Sequence, residues 1–176
     1  MRNDNYLFTI NSLKRLTLKY TYKKASLVIA QTEEMKSELV ELGLKPDKIA
    51  VLHNLLDTEL IQSKANQISP FPTDTKTRFV SVGRFAPQKG FDILIKAFKY
   101  VNDELPDSEL YIIGSYDGSG SNVYEELNDL IDRLKLNGKV IFTGYTDNPY
   151  RYIKNASVYV LSSRYEGLPN VLVEAQ

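Results

Sequence analysis

Between residues 78 and 161 the apolar positions alternate between two kinds of pattern. Four short runs, 78–82, 109–113, 139–142 and 156–161, are apolar almost throughout or change side every second residue. They read as buried strands of the parallel kind. Stretches with helical spacing lie between them. Phe91, Leu94, Ile95 and Phe98 mark the buried face of a helix running to about Glu104, and a second helix spans about 123–136. A shorter helix at 147–155 precedes the last run. Pro106-Asp107, Gly114, Gly138 and Thr143-Gly144-Tyr145 punctuate the series, with Gly138 closing the second helix. Strand–helix alternation with short connections predicts an α/β fold, a Rossmann-like parallel sheet with helices on both faces.

The first third repeats the rhythm in shorter form. Residues 6–24 carry Leu13, Leu16 and Tyr20 at helical spacing among Lys14, Arg15, Lys19, Lys23 and Lys24. Two readings follow: a helix packed on a sheet with a solvated basic face, or a basic amphipathic helix touching anionic lipid, a peripheral membrane contact. A strand is expected at 26–30, then Thr32 as N-cap with Glu33 and Glu34 in the first turn of a helix ending near Leu42 and Gly43. Pro46 blocks its continuation, and 48–53 reads as another strand. Residues 58–77 are polar, contain Pro70 and Pro72 and show little periodicity, which suggests a linker between domains at 1–57 and 78–176, or a long surface loop within one domain.

Composition narrows the chemistry. The 22 Lys and Arg residues balance 22 Asp and Glu, so no global field draws the chain to nucleic acid. Without cysteine there is no disulfide framework, thiolate metal site or cysteine nucleophile. The lone histidine, His53, makes a metal cluster implausible, no carboxylate array has metal-ligand spacing, and no cofactor is expected. The first residues lack the order of a secretory signal, and no apolar run approaches the roughly 18 residues of a spanning helix. The expectation is a cytoplasmic protein. The chain stops two residues after Glu174, inside an expected helix, so it reads as cut.

Two clusters carry candidate chemistry. Residues 162–176 follow the last strand, turn at Gly167 and start a helix at Pro169. Glu166 lies in the loop and Glu174 in the helix, with seven residues between them. The helix-start amides around Gly167 and Leu168 carry partial positive charge toward the same spot. Without further context the two acids are equally well a dipole partner and a wet-face residue. In the second cluster, Gly83-Arg84 at a strand exit is followed by Lys89-Gly90 at a helix start. A glycine lets a ligand approach the backbone, Arg84 offers a planar fork of donors and Lys89 a compact charge, a set that suits a diphosphate or, taken singly, ordinary surface charge. The Gly114–Ser121 segment lacks both the Lys-Ser/Thr of a Walker loop and the spacing of a dinucleotide motif, and reads as a flexible loop.

The phrase Ser-x-Tyr-Glu-Gly-x-Pro-Asn-Val-x-x-Glu-Ala at 163–175 resembles the E-x7-E motif of retaining GT-B glycosyltransferases, the "glycosyl transferases group 1" family. Gly83-Arg84 with Lys89-Gly90 resembles that family's diphosphate motif, and Gly144-Tyr145 its loop beside the nucleobase. Ala25-x-x-Val28-Ile29-Ala30-x-Thr32-Glu33-x-Met35 is similar to the closing section of a GT-B N-terminal domain. His53-Asn54-Leu55-Leu56-Asp57 departs from the family's Asn-Gly-Val-Asp turn, with Leu55 in place of Gly. The resemblance implies a partial GT-B architecture and sugar transfer from a nucleotide-diphosphate sugar, with retention and without a metal, to a glycan or lipid-linked acceptor in surface polysaccharide or glycan biosynthesis. It implies that Gly83, Arg84 and Lys89 hold the diphosphate, that Glu166 bonds the donor sugar's hydroxyls and Glu174 the ribose, and that Gly144, Tyr145, Gly167 and Leu168 complete the donor site. The acceptor groove and the strands that would follow Gln176 are missing from that pattern. The alternative is a module that holds a nucleotide and transfers nothing.

Overall fold

A computed structural model describes residues 12–115 and 122–166. They form two bodies, one of residues 12–56 with 165 and 166, the other of 57–115 and 122–164.

In the first body, helix α1 (Ser12–Lys24) leads to strand β1 (Val28–Ala30), helix α2 (Glu33–Glu41) and strand β2 (Ile49–Val51). Thr32 caps α2 as its spacing predicts, its hydroxyl oxygen accepting from the Met35 N–H at 3.1 Å. The other end of α2 closes with Gly43 at φ 96°, Gly43 N–H to Val40 O at 2.8 Å and Leu44 N–H to Leu39 O at 3.1 Å. That paired pattern needs a left-handed residue, which Gly43 supplies without strain. Pro46 does not merely stop the helix; it opens a short 3-10 turn, Pro46–Lys48, leading into β2. Strands β1 and β2 pair in parallel, Val28 opposite Ile49 and Ala30 opposite Val51. Their alternate side chains meet Leu39, Leu42 and Leu44, with Leu18 and Tyr22 of α1 completing the cluster. Leu16 and Tyr20 of α1 are exposed.

The second body contains helix α3 (Thr58–Ala65), strand β3 (Thr77–Val82), helix α4 (Phe91–Glu104), strand β4 (Ser108–Ile113), helix α5 (Val123–Arg133), strand β5 (Val140–Gly144), helix α6 (Tyr150–Asn155) and strand β6 (Val158–Tyr159). The strands form one parallel sheet in the order β5-β4-β3-β6. Period-two alternation sends Phe79, Leu110 and Ile112 to one face, where Phe91, Leu94, Ile95 and Phe98 of α4 and Leu127, Leu130 and Ile131 of α5 cover them. Val80, Val82, Tyr111 and Ile113 face the other way, onto Phe71 and onto Tyr152 and Ile153 of α6. Helices therefore cover both faces, as the sequence pattern predicts.

Three details differ from the sequence reading. The stretch 58–77, read there as a linker, begins with α3, whose first turn is capped by the Asp57 carboxylate accepting from Leu60 N–H at 2.9 Å. This segment belongs to the second body: the Asn148 side-chain amide donates to Lys64 O at 3.0 Å and to Gln67 Oε1 at 2.9 Å. A helix of eight residues shows too few turns for its periodicity to stand out. The run 156–161, read as a buried strand, pairs only through Val158 and Tyr159, and Val158 is 40% exposed because β6 has a single neighbour in the described sheet. Helix α5 is closed not by Gly138 but by Lys135 at φ 57°, with Gly138 taking a second left-handed conformation in the turn that follows.

At the N-terminal ends of β3 and β4 a polar network ties residues 71–76 to the sheet. Arg78 donates to both Asp74 carboxylate oxygens at 2.7 Å and lies over the Phe71 ring at 4.8 Å. Lys76 Nζ donates to Glu109 Oε1 at 2.5 Å, and Tyr111 O–H to Glu109 Oε2 at 3.1 Å. Burial works to raise the Glu109 pKa, but the hydrogen bonds from Lys76 and Tyr111, with the charges of Lys76 and Arg78, overcome it and hold the carboxyl below its ordinary range.

Candidate functional site

The order β5-β4-β3-β6 has a topological consequence. From β3 the chain moves outward to β4 and β5, then returns to place β6 on the other side of β3. The exit loops of β3 and β6 therefore diverge from adjacent strands, and in open parallel sheets such a switch point at the C-terminal edge is where ligands bind.

A glycine stands at the exit of each of three neighbouring strands along this edge, Gly83 after β3, Gly114 after β4 and Gly144 at the end of β5. The Gly83 N–H donates to Ile113 O at 2.9 Å, and the Gly114 N–H to Gly144 O at 3.0 Å. A Cβ on Gly114 would lie 1.8 Å from the Gly83 carbonyl oxygen, so no larger residue fits there without moving backbone. Arg84 leaves the edge immediately after Gly83 and is exposed. The residue after it anchors the loop: Phe85 is buried, edge-on to Phe91 at 5.7 Å and to Phe142 at 5.0 Å between ring centroids.

Lys89 ends a 3-10 turn, Pro87–Lys89, and folds back over the strand exit. A Cβ on Gly83 would meet the Lys89 Cγ, Cδ and Cε atoms at 3.1–3.2 Å, so the lysine stem lies directly on Gly83. Gly90 then takes φ 63° and opens α4, its carbonyl accepting from Ile93 and Leu94 at 2.9 and 3.1 Å. The structure thus brings Gly83, Arg84 and Lys89 together with the start of a helix of 14 residues, whose first amides carry partial positive charge. A diphosphate suits that arrangement.

The β6 exit loop is bonded to the same turn. Ser162 Oγ donates to Lys89 O at 2.8 Å, Arg164 N–H to Gln88 O at 2.8 Å, and the Arg164 guanidinium to Pro87 O at 2.5 Å and Asp92 Oδ2 at 2.8 Å. Gly144 and the exposed Tyr145 stand at this C-terminal edge, at the end of β5. Glu166 is half-buried and is grouped with the first body, whereas Arg84 and Lys89 belong to the second. Gly167, Leu168, Pro169 and Glu174 lie outside the described residues, as does 116–121.

Phe85 stands inside the Gly83–Gly90 motif but has no role predicted from sequence, and neither do Ser162, Arg164 or Asp92. Phe85 carried a weak signal, an aromatic where a ligand loop is otherwise polar. Nothing in the sequence announces that Ser162 and Arg164 reach the 87–92 turn, because that pairing spans more than seventy residues. His53 is exposed, its Nδ1 2.9 Å from Gln31 O, as befits a strand-end residue. Among the described residues no group of three or more His, Cys, Asp or Glu side chains could hold a metal ion.

Known proteins share both sequence and fold with this chain. The family described as Glycosyltransferase Family 4 matches residues 2–60, and the family described as Glycosyl transferases group 1 matches residues 62–176. An uncharacterized glycosyltransferase of Methanocaldococcus jannaschii is 34% identical over 91% of this chain and 39% of its own length. The N-acetylgalactosamine-N,N'-diacetylbacillosaminyl-diphospho-undecaprenol 4-alpha-N-acetylgalactosaminyltransferase of Campylobacter jejuni is 31% identical over 94% of this chain and 43% of its own. The chain thus spans less than half the length of these relatives. Among solved structures, HepE of Anabaena in complex with UDP and glucose superposes with a TM-score of 0.80 at 21% identity, covering 94% of this chain and 46% of HepE. At that identity the likeness speaks for the fold, a parallel sheet with flanking helices of the GT-B type. With 62–176 matched by one family and the strand-exit glycines and Lys89 turn lying inside that range, the chain belongs to the Glycosyl transferases group 1 family.

Proposed function

We propose that this chain forms the donor side of a retaining glycosyltransferase, moving a sugar from a nucleoside-diphosphate sugar to a glycan or lipid-linked acceptor in surface polysaccharide assembly. The observation that carries the reading is the Lys89 stem lying on Gly83 at the switch point, beside Arg84 and the start of α4. Fixed positive charge there meets the negative charge that builds on the departing diphosphate as the glycosidic bond breaks. Arg84 bonds the diphosphate as a fork and Lys89 as a point charge. The protein's own cations thus take the part that a divalent ion would otherwise play.

The remaining roles follow the family resemblance. Glu166 accepts hydrogen bonds from the donor sugar's hydroxyls and Glu174 from the ribose. Neither serves as a glycosidase acid or nucleophile. Gly144 and Tyr145 flank the base, and Gly167 and Leu168 supply backbone donors. Relatives named for undecaprenol-linked, lipopolysaccharide-core and capsular products support the acceptor class, and HepE's complexes with UDP and UDP-glucose support the donor class. Among the described residues no helix is long and apolar enough to cross a membrane. Contact with a lipid-linked acceptor at a membrane surface would draw on the exposed Leu16 and Tyr20 and the lysines of α1.

A calorimetric titration with UDP, GDP and ADP, followed by transfer assays with the matching sugar donors and lipid-linked acceptors, tests the reading. Saturable binding of one nucleoside diphosphate, and transfer by the full-length protein, is expected. Absence of binding by all three would overturn it. A second reading, nucleotide binding without transfer by these 176 residues, draws on the relatives being more than twice as long. Transfer by the 176-residue chain alone would remove it.

A further inference from the structure

Resting on the donor-site reading above, we infer that Arg164 is a positioning residue that clasps the Lys89 turn onto the exit of β6 and so sets the place of the diphosphate-binding group. Residues 87–89 form one 3-10 turn closed by Lys89 N–H to Ala86 O and Gly90 N–H to Pro87 O, at 2.9 and 3.2 Å. Across the sheet edge the turn is bonded to residues 162 and 164. Ser162 takes the Lys89 carbonyl and the Arg164 main chain takes that of Gln88. The Arg164 guanidinium takes the Pro87 carbonyl with Nη1 and the Asp92 carboxylate with Nη2. Three successive carbonyls of the turn, 87, 88 and 89, are thereby bonded to one short segment of the β6 exit.

Two further features show how closely the segments are fitted. A Cβ at position 90 would sit 2.2 Å from the Ser162 carbonyl oxygen, and the left-handed φ of 63° disfavours any side chain there. Gly90 is thus what lets the β6 exit approach the turn. Asp92 lies in the first turn of α4, so the ion pair to Arg164 also ties the helix start to the clasp. An arginine suits this work better than a lysine. Its rigid fork satisfies a carbonyl and a carboxylate at once, whereas an ammonium has no fixed geometry. Arg164 also stands two residues ahead of Glu166 in the chain.

The test measures binding of UDP and UMP, GDP and GMP, and ADP and AMP to the full-length protein and to R164A, R164K and D92N. The ratio of diphosphate to monophosphate affinity isolates the second phosphate, which the Lys89 turn is placed to meet. R164A is expected to lower that ratio about tenfold, the scale of weakening one charge-assisted hydrogen bond. R164K and D92N are expected to fall between R164A and the wild type. D92N changes a half-exposed side chain and keeps the assay informative if R164A does not fold. A purely structural role would lower the melting temperature and weaken both nucleotides equally, leaving the ratio unchanged. An unchanged ratio in all folded variants, with the wild type binding, overturns the clasp alone. No nucleoside diphosphate bound by the wild type overturns the donor-site reading and the clasp with it.

Discussion

The two bodies are built from the same strand–helix alternation, yet among the described residues they differ in how much of each sheet is covered. In the first body the two strands bury Val28, Ala30, Ile49 and Val51 against one layer, while Ile29, in the middle of β1, is 59% exposed. In the second, both faces of β4 are covered, Ile112 under α4 and α5 at 0% exposure and Ile113 on the Phe71 side. Parallel strands draw much of their stability from burial on both sides. The Gly83, Arg84 and Lys89 group is mounted on the body whose sheet is covered on both faces. A site that orients a leaving group benefits from such a mount.

The largest expected effect comes from testing equivalent isoleucines in the two sheets. Ile112→Ala should cost about 2–5 kcal/mol of the second body's stability, read from chemical denaturation, because the cavity is enclosed. Ile29→Ala should change stability by less than about 0.5 kcal/mol, since that side chain is largely wet already. Equal losses would erase the distinction between the bodies.

Next in size is the separation of function from packing. Glu166→Gln and Glu174→Gln in the full-length protein should each lower turnover by roughly 10²-fold with little change in melting temperature, the scale seen when a transition-state hydrogen bond is removed. Full turnover in both variants would remove these acids from the donor site. Lys89→Ala should weaken nucleoside-diphosphate binding by about tenfold, equivalent to about 1.4 kcal/mol. Its melting temperature should stay close to the wild type's, and an unchanged affinity would take Lys89 out of the phosphate site.

A smaller effect should appear in the pH dependence of the second body. The Glu109 carboxyl titrates lower when folded than when unfolded, so its stabilisation is fully present above the unfolded carboxylate range. That contribution is lost as the pH falls through the depressed folded value. Glu109→Gln should therefore flatten the acid limb of the stability profile and cost about 1 kcal/mol near neutrality. An acid limb identical to the wild type's would show that the network with Lys76 and Arg78 does not contribute. The smallest effect is expected at α1. Replacing the exposed Leu16 and Tyr20 with serine should leave stability within about 0.5 kcal/mol of the wild type, while reducing sedimentation with anionic vesicles. Unchanged sedimentation would favour α1 as a packed helix with a solvated basic face.

Both bodies are legible in outline from the sequence, and the three departures all lie in the second. The spacing of Phe91, Leu94, Ile95 and Phe98 marked α4 because fourteen residues give four turns of one-sided burial. Thr32 and Gly43 marked the ends of α2 because capping is local chemistry. Helix α3 escaped because its eight residues bury no side chain fully. The motif Gly83-Arg84 with Lys89-Gly90 showed where cations gather, since strand exit, turn and helix start follow one another in the chain. What holds that turn in place, Ser162 and Arg164, is a long-range pairing across the switch point, and a single sequence gives no sign of its register.

The proposed function requires that a nucleoside diphosphate bind at the exits of β3 and β6 on the second body. Amide hydrogen exchange of the full-length protein, with and without the tightest-binding of UDP, GDP and ADP, tests it most directly. Slowed exchange is expected at residues 83–94 and 162–164, where turn, helix start and clasp meet, with no slowing across 28–52. Slowing confined to 28–52, or none at 83–94 under saturating nucleotide, would contradict it.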